Sequence, residues 1–547
     1  VRKLILAIVL LSSSVLFAEI KYLIITPSQF YDAVMPLAEW KQKKGLATKV
    51  VSVSVGLQAS AIRDTIIKYQ PEYVLLVGDR NFIPLGKFFP DWTLHQAGTW
   101  TDQYYADTTD DAQYKDDIYL GRLPCATVKQ CSVMVYKTLA YEQGRLKNSD
   151  WYIKATGVAR DLENKLYDSC YTTAVRMVQN LLLTNGFNQV DTLFRSDGVD
   201  SVKVEDSITR GRGIVFYRGS ALYKVDNWNN PFRVSPERID NDSMPAVVIS
   251  PTCRTMYCPT TNELSTAVGF RWLKAGEVNN PEGAVAFWGT STHFYGPHDT
   301  FPDQQTIWRN ATTMKFFQAI INEHENILGK AIREAKDSTF VCCSLLTAGH
   351  FAWATACSVA YMEWNLLGDP SLAIWTQIPQ TLSAQFASTV PLGPTNLNVF
   401  VSDHLNQPFA NALVSVWKPN EVYGQGYTDT SGNVTLPVSP QSPGMIYLTI
   451  TAPNCIPYQA SIVVQPNHAY VTFLRSVLID SANGNGDGIA NPGEDINFRT
   501  WLKNWGDTLA SNVVGVLRIS DTSATILDSV KNFGNILPLD SAFTGAA

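Results

Sequence analysis

The chain has 547 residues, too many for one hydrophobic core, so about three or four domains are expected. Hydrophobic residues are 45% and charged residues 17%, which excludes an intrinsically disordered protein. The formal net charge of −6, with no basic stripe along the sequence, argues against a nucleic-acid binder.

In chain order, the first segment reads as a secretory signal over residues 1–18. Arg2 and Lys3 give a positive start, Leu4 to Leu11 is apolar, and Ser12, Ser13 and Ser14 lead to Ala18. Cleavage after Ala18 frees Glu19. The apolar part is too short to span a bilayer comfortably, and no later stretch is long enough. A secreted or cell-surface protein without a membrane span is therefore expected. The first strand follows almost at once, which argues against a long N-terminal prodomain.

Residues 19–147 alternate strand and helix. Strands are predicted at Tyr22 to Ile25, Ala47 to Val53 and Tyr73 to Val77. Helices are predicted at Gln29 to Lys44 and Ala59 to Tyr69. Phe30, Val34, Leu37 and Trp40 share one face of the first helix, and Pro36 either kinks it or marks its true start. This βαβαβ order predicts a parallel sheet covered by helices.

A second α/β unit is expected over residues 148–377. Its strands are Ile153 to Val158, Gln189 to Phe194, Ile214 to Tyr217, Ala246 to Ser250 and Ala284 to Trp288. Its helices are Ala174 to Leu183, Leu264 to Ala275, Trp308 to Glu323 and Phe351 to Leu366. From about Gln377 helical periodicity disappears. Short β-type runs at Asn396 to Val401, Leu413 to Trp417, Ile446 to Ala452 and Ala460 to Val464 predict a β-sandwich over 378–467. A second sandwich is expected over 468–547. Its last residues, Phe543 to Ala547, do not close a domain cleanly, and truncation there is expected.

Nine cysteines are present, none in Cys-x-x-Cys spacing, so zinc is not expected. No organic cofactor is expected either. Cys253 stands out by position. It follows the buried run Pro245 to Ser250 through the turn Pro251-Thr252, which places a thiol at the carboxyl end of a parallel strand. Open α/β sheets put their ligands at that edge. A second run, Gly213 to Tyr217, ends far enough upstream to form the neighbouring strand. In a cysteine peptidase of this layout it would deliver the histidine that makes the thiolate. Its tip reads Tyr217-Arg218-Gly219-Ser220-Ala221. Arg254 could favour the thiolate electrostatically but cannot shuttle protons. His293 and His298 are either loop histidines or a substitute base. A Cys253–Cys258 disulfide is the alternative that would silence the thiol.

Two stretches suggest calcium. Asp107, Asp110, Asp111, Asp116 and Asp117 form either an oxygen-rich site or a solvated acidic turn. Asn483-Gly484-Asn485-Gly486-Asp487-Gly488, continuing to Glu494, has EF-hand loop spacing. Its flanks, Val471 to Leu478 and Ile496 to Leu502, read as strands, so the alternatives are a β-domain calcium loop held by Asn483, Asn485, Asp487 and Glu494, or a plain Asn/Gly/Asp turn.

Several pieces together resemble the gingipain-type cysteine peptidases. These are Leu37 to Gly45, Tyr73 to Asp79, Thr101 to Asp107, Asp117 to Pro124, Gly283 to Ser291 and Leu367 to Leu372. Their order and spacing carry the resemblance over about residues 20–378. It implies two caspase-like α/β subdomains followed by immunoglobulin-like β-sandwiches. It implies a cysteine endopeptidase acting on protein or peptide substrates, with Cys253 as nucleophile and Asp117 as the acid supporting the family's histidine. Trp288, Thr290, Ser291 and Tyr295 fall on the pocket. The family's Tyr-x-Gly-His-Gly-Ser motif aligns Ser220 with the histidine. The expectation is thus a secreted gingipain-like homologue that hydrolyses peptide bonds if another base serves, or else an inactive one acting as a binding or assembly module. Oligomeric state is not legible.

Overall fold

The computed structural model describes residues 19–88, 99–109, 115–146, 150–161, 165–222, 227–256, 267–291, 302–346, 361–480, 483–519 and 525–543. The expected leader, residues 1–18, lies outside the described residues. Among those described, the chain divides into an α/β unit (up to residue 382, plus 451–458) and a β unit (383–450 and 459 onward).

The α/β unit is built on one ten-stranded sheet. Its strands in chain order are β1 (Tyr22–Pro27), β2 (Thr48–Val53), β3 (Tyr73–Val77), β4 (Tyr119–Leu123) and β5 (Lys154–Ala159). They continue with β6 (Gln189–Phe194), β7 (Ile214–Arg218), β8 (Ala246–Ser250), β9 (Ala284–Thr290) and β10 (Trp364–Leu367). The spatial order is β2-β1-β3-β4-β10-β9-β8-β7-β5-β6. The two tandem units expected from sequence thus share a sheet, joined where β10 runs parallel to β4 and antiparallel to β9. That antiparallel step brings the amino end of β10 to the edge holding the carboxyl ends of β9, β8, β7 and β5.

Alternation along the strands feeds both faces. Val215, Tyr217 and Val248 pack on one side with α1 (Tyr31–Lys43), α3 (Val128–Glu142) and α6 (Val268–Lys274). Phe216, Val247 and Ile249 pack on the other with α4 (Lys165–Thr184), α7 (Pro302–Ile321) and α8 (Leu328–Leu346). Ile62 and Ile66 of α2 (Ala59–Tyr69) cover Leu23, Ile25, Val74 and Leu76. Pro36 lies inside α1, so the helix forgoes a backbone bond there and does not begin at the proline. Thr127 caps α3, and Asp200 caps α5 (Ser201–Thr209).

One sequence expectation fails here. Trp364, Asn365 and Leu366 were expected to end a helix and instead form β10, with all four strand residues buried. A short apolar run fits either period, and its neighbours decide.

The β unit begins with a three-stranded sheet containing Ser383–Phe386, Thr395–Ser402 and Asn433–Val438. A five-stranded sheet contains Leu413–Lys418, Val422–Tyr427, Gly444–Thr451 and Tyr458–Val464, with Thr389–Val390 at its edge. Leu397, Val399, Val414, Val416, Leu448 and Ile462 are buried, as a two-sheet core requires. Beyond it, Val471–Ile479 and Asn497–Asn504 pair antiparallel, so the Asn/Gly/Asp stretch is a hairpin connection. Among the described residues no helix is long and apolar enough to cross a membrane.

Candidate active site at the β7 and β8 tips

β7 and β8 are neighbours and parallel, with Ile249 opposite Phe216. Their tips are tied directly: Thr252 Oγ1 donates to the Gly219 carbonyl at 3.1 Å. The Thr252 carbonyl accepts Thr255 Oγ1 at 3.1 Å and Thr290 Oγ1 at 2.7 Å. This hydroxyl network holds the turn that carries Cys253. The next residue, Arg254, has φ +60°, a left-handed conformation that costs a non-glycine residue about 1 kcal/mol or more.

Cys253 is half-buried. Arg309 of α7 donates from Nη1 to its Sγ at 3.1 Å. Nη2 of the same guanidinium is shared between the two carboxylate oxygens of Glu363, at 3.0 and 3.1 Å. Both partners are largely enclosed, with side chains 14% and 2% exposed. Burial disfavours the charged Arg309, but Cys253 and Glu363 outweigh it and raise its pKa. Arg218, at the end of β7, donates to the Pro251 carbonyl at 2.9 Å and to Asn310 at 2.7 Å. Its guanidinium lies over the Tyr171 ring. Burial pulls the Arg218 pKa down to about 10.

Ser220 occupies the facing tip. Its Oγ accepts Arg160 Nη1 at 2.7 Å and Asn229 Nδ2 at 3.0 Å. Arg160 extends from the end of β5, and its backbone N–H bonds the Arg218 carbonyl. Tyr217 stacks on Trp228 with centroids 4.5 Å apart, and Trp228 Nε1 donates to Ser250 Oγ at 3.0 Å. Gly219 is demanded by crowding: a Cβ there would stand 2.5 Å from Tyr217 Oη and 2.9 Å from Arg160 Cβ. The Ser220 position is thus built rigidly around a hydroxyl.

The other expected site residues divide. Asp117 does not reach Ser220. Its Oδ2 accepts the Thr108 N–H, the Thr108 hydroxyl and the Thr109 N–H at 2.6, 2.9 and 3.0 Å, so it folds its own loop. It precedes β4, three places from β8 in the sheet. Trp288 is fully buried against Phe316 and Trp364, so among the described residues it packs the core. Thr290 supports the Cys253 turn as described. Ser291 receives the Asn365 amide at 3.1 Å and donates its N–H to the Glu363 carbonyl at 2.9 Å, which fixes the amino end of β10. Tyr295, His293, His298 and Cys258 lie outside the described residues.

The acidic loop has protein partners. Asp116 pairs with buried Lys336 at 2.7 Å, and Asp107 is buried; Asp110 and Asp111 lie outside the described residues. In the later hairpin, Asn483 bonds Asp495 at 2.7 Å and Asn485 bonds Asp487 at 2.9 Å. Glu494 accepts the Asn485 and Asn491 N–H groups, and Asp480 accepts that of Gly488. Among the described residues no group of three or more His, Cys, Asp or Glu side chains is arranged to hold a metal.

Sequence reading missed Arg309, Glu363, Arg160 and Asn229. Arg309 and Glu363 are far from Cys253 in the chain, and Glu363 was hidden by the mistaken helix. Arg160 follows a strand that pairs with β7, a cue present in the predicted order but carrying no residue-level signal.

The description of Peptidase family C25 matches residues 16–375. This chain belongs to that family. The C25 match covers both halves of the ten-stranded sheet and leaves most of the β-rich remainder outside it. Gingipain R2 of Porphyromonas gingivalis is 23% identical over 210 residues, 36% of this chain and 27% of the relative. Lys-gingipain of the same organism is 21% identical over 472 residues, 80% of this chain and 25% of the relative. The C25 chain therefore spans about a quarter of the length of these curated relatives. The crystal structure of the Arg specific cysteine proteinase gingipain R superposes with a TM-score of 0.68 at 15% identity, covering 82% of this chain and 98% of that one. That likeness shows a shared fold.

Proposed function

We propose that this chain is a C25 homologue that keeps the family's nucleophile, lacks its acid–base partner, and serves outside the cell as a binding or assembly module for protein or peptide segments. The observation that carries the reading is Ser220, which takes two donors, from Arg160 and Asn229. Acyl transfer needs a group that accepts the thiol proton and returns it to the leaving amine. A serine hydroxyl does not do this at neutral pH. Arg309 beside Cys253 cannot, because guanidinium stays protonated. The apolar leader up to Ala18 supports export. The buried alternation of the first β module supports an immunoglobulin-like sandwich.

A diverse peptide library tests this. The wild-type chain and Cys253→Ala are expected to leave identical, uncleaved mass spectra. Fragments made by the wild type and absent with Cys253→Ala would overturn the reading and assign the base to another residue.

A further inference from the structure

We propose that Arg309 is a positioning residue that holds Cys253 as a thiolate, giving the site a reactive sulfur beside a fixed guanidinium. The inference rests on Cys253 being the C25 nucleophile, and not on whether peptides are cleaved.

The geometry is specific. Arg309 Nη1 meets Sγ at 3.1 Å while Nη2 spans both oxygens of Glu363. Holding Nη2 on the carboxylate and Nη1 on the sulfur ties the guanidinium to two partners at once, so the donor facing Cys253 is anchored and not merely near. Glu363 is held in turn, because its carbonyl accepts the Ser291 N–H at 2.9 Å and the Asn365 amide at 2.9 Å. The sulfur thus faces a donor anchored through two elements, α7 and the start of β10.

The charged groups around Cys253 come from every neighbouring element. Arg309 comes from α7 and Arg218 from the β7 tip. Arg254 is the next residue in the turn, and Arg160 holds Ser220 from the β5 tip. Among the described residues Glu363 is the carboxylate bonded to this group, and it is matched by Arg309. Arg309 and Arg218 are both largely enclosed, and guanidinium groups so placed favour an anionic sulfur. These guanidinium groups do not themselves return a proton, since guanidinium does not titrate in this range. Such a thiolate attacks carbon electrophiles whose leaving group needs no protonation. With iodoacetamide, the sulfur lone pair forms the C–S bond as the C–I bond breaks and iodide departs.

The test is the pH profile of Cys253 alkylation by iodoacetamide on the full chain, read by peptide mass spectrometry. Wild type, Arg309→Lys and Arg309→Gln are compared, with melting curves to verify folding. The wild-type midpoint is expected at least about one pH unit below the free-thiol value of about 8.5. Arg309→Gln is expected to move it upward by about one unit, which slows alkylation about 10-fold at pH 6. Arg309→Lys, keeping a charge without the fork, is expected to fall between them. Equal midpoints for wild type and Arg309→Gln would overturn the proposal. If Arg309→Gln does not fold, the wild-type midpoint decides alone, and a value at or above that of a free thiol overturns it. Peptide cleavage by the wild type would defeat the inactive reading while leaving this profile intact, so the two fail separately.

Discussion

At the scale of single residues, the α/β unit stores charge in enclosed clusters. Glu142 accepts Lys41 at 2.8 Å, Lys44 at 2.8 Å and Trp40 Nε1 at 2.6 Å. Burial alone would raise its pKa, but the two ammonium groups outweigh it and hold the carboxyl well below the usual range. A depressed carboxylate contributes stability that is full above its unfolded pKa, about 4.3, and is lost as pH falls through the folded value. Glu142→Gln, which takes the carboxylate from the enclosed Lys44 while Lys41 keeps Asp369 at 2.5 Å, should cost about 3 kcal/mol at pH 7 by urea denaturation. The loss should shrink as pH drops below about 4. A neutral substitution at pH 7 would contradict the cluster's role. The site was partly legible at this scale. Cys253 stood out as a candidate because a buried apolar run ends just before it, and Ser220 because the neighbouring strand ends beside it. Arg309 and Glu363 could not, because nothing local links residues from a helix and a late strand to a distant turn.

At the scale of elements, the decisive feature is the join between β4 and β10. Leu367 pairs with Arg122, and the Gly368 N–H donates to the Arg122 carbonyl at 2.8 Å. Gly368 has φ +129°, and a Cβ on Gly121 would stand 2.2 Å from the Gly368 carbonyl oxygen. The two halves of the sheet close only because both positions lack side chains. Gly121→Ala should therefore lower the urea midpoint by the equivalent of about 1–3 kcal/mol without changing the m-value. An unchanged midpoint would mean that the join yields. Most strands and helices were legible by period, including Ala59 to Tyr69 and Ala246 to Ser250, whose predicted bounds match the observed ones. β10 was not, because three apolar residues and an asparagine beside a helical-looking stretch carry no period of their own.

At the scale of the whole molecule, alternating strand and helix followed by β-type runs correctly announced an α/β part and a β part. They did not announce a continuous ten-stranded sheet, since no local pattern encodes an antiparallel junction between two parallel halves. A lysine is enclosed between one face of that sheet and its covering helices. Lys137 of α3 donates to the carbonyls of Leu273 at 2.9 Å and Ala284 at 3.4 Å, joining α3 to α6 and β9. Burial brings its pKa down to about 7, with Glu282 opposing. Between that value and the unfolded lysine's, about 10.4, the unfolded chain binds more protons, so stability rises with pH. Its share of the slope should approach about 1.4 kcal/mol per pH unit. Lys137→Met should flatten the rise between pH 7 and pH 9, and parallel profiles for the two proteins would contradict this.

Cys253 as a nucleophile without a proton shuttle makes two separable demands, and an activated ester separates them directly. The thiolate of Cys253 can attack the carbonyl of p-nitrophenyl acetate and expel p-nitrophenolate without protonating it. Intact-mass and peptide mapping should then show an acetyl group on Cys253 that persists and is absent from Cys253→Ala. Continuous Cys253-dependent release of p-nitrophenolate with no lasting adduct, or no acetyl group at Cys253 at all, would contradict the account.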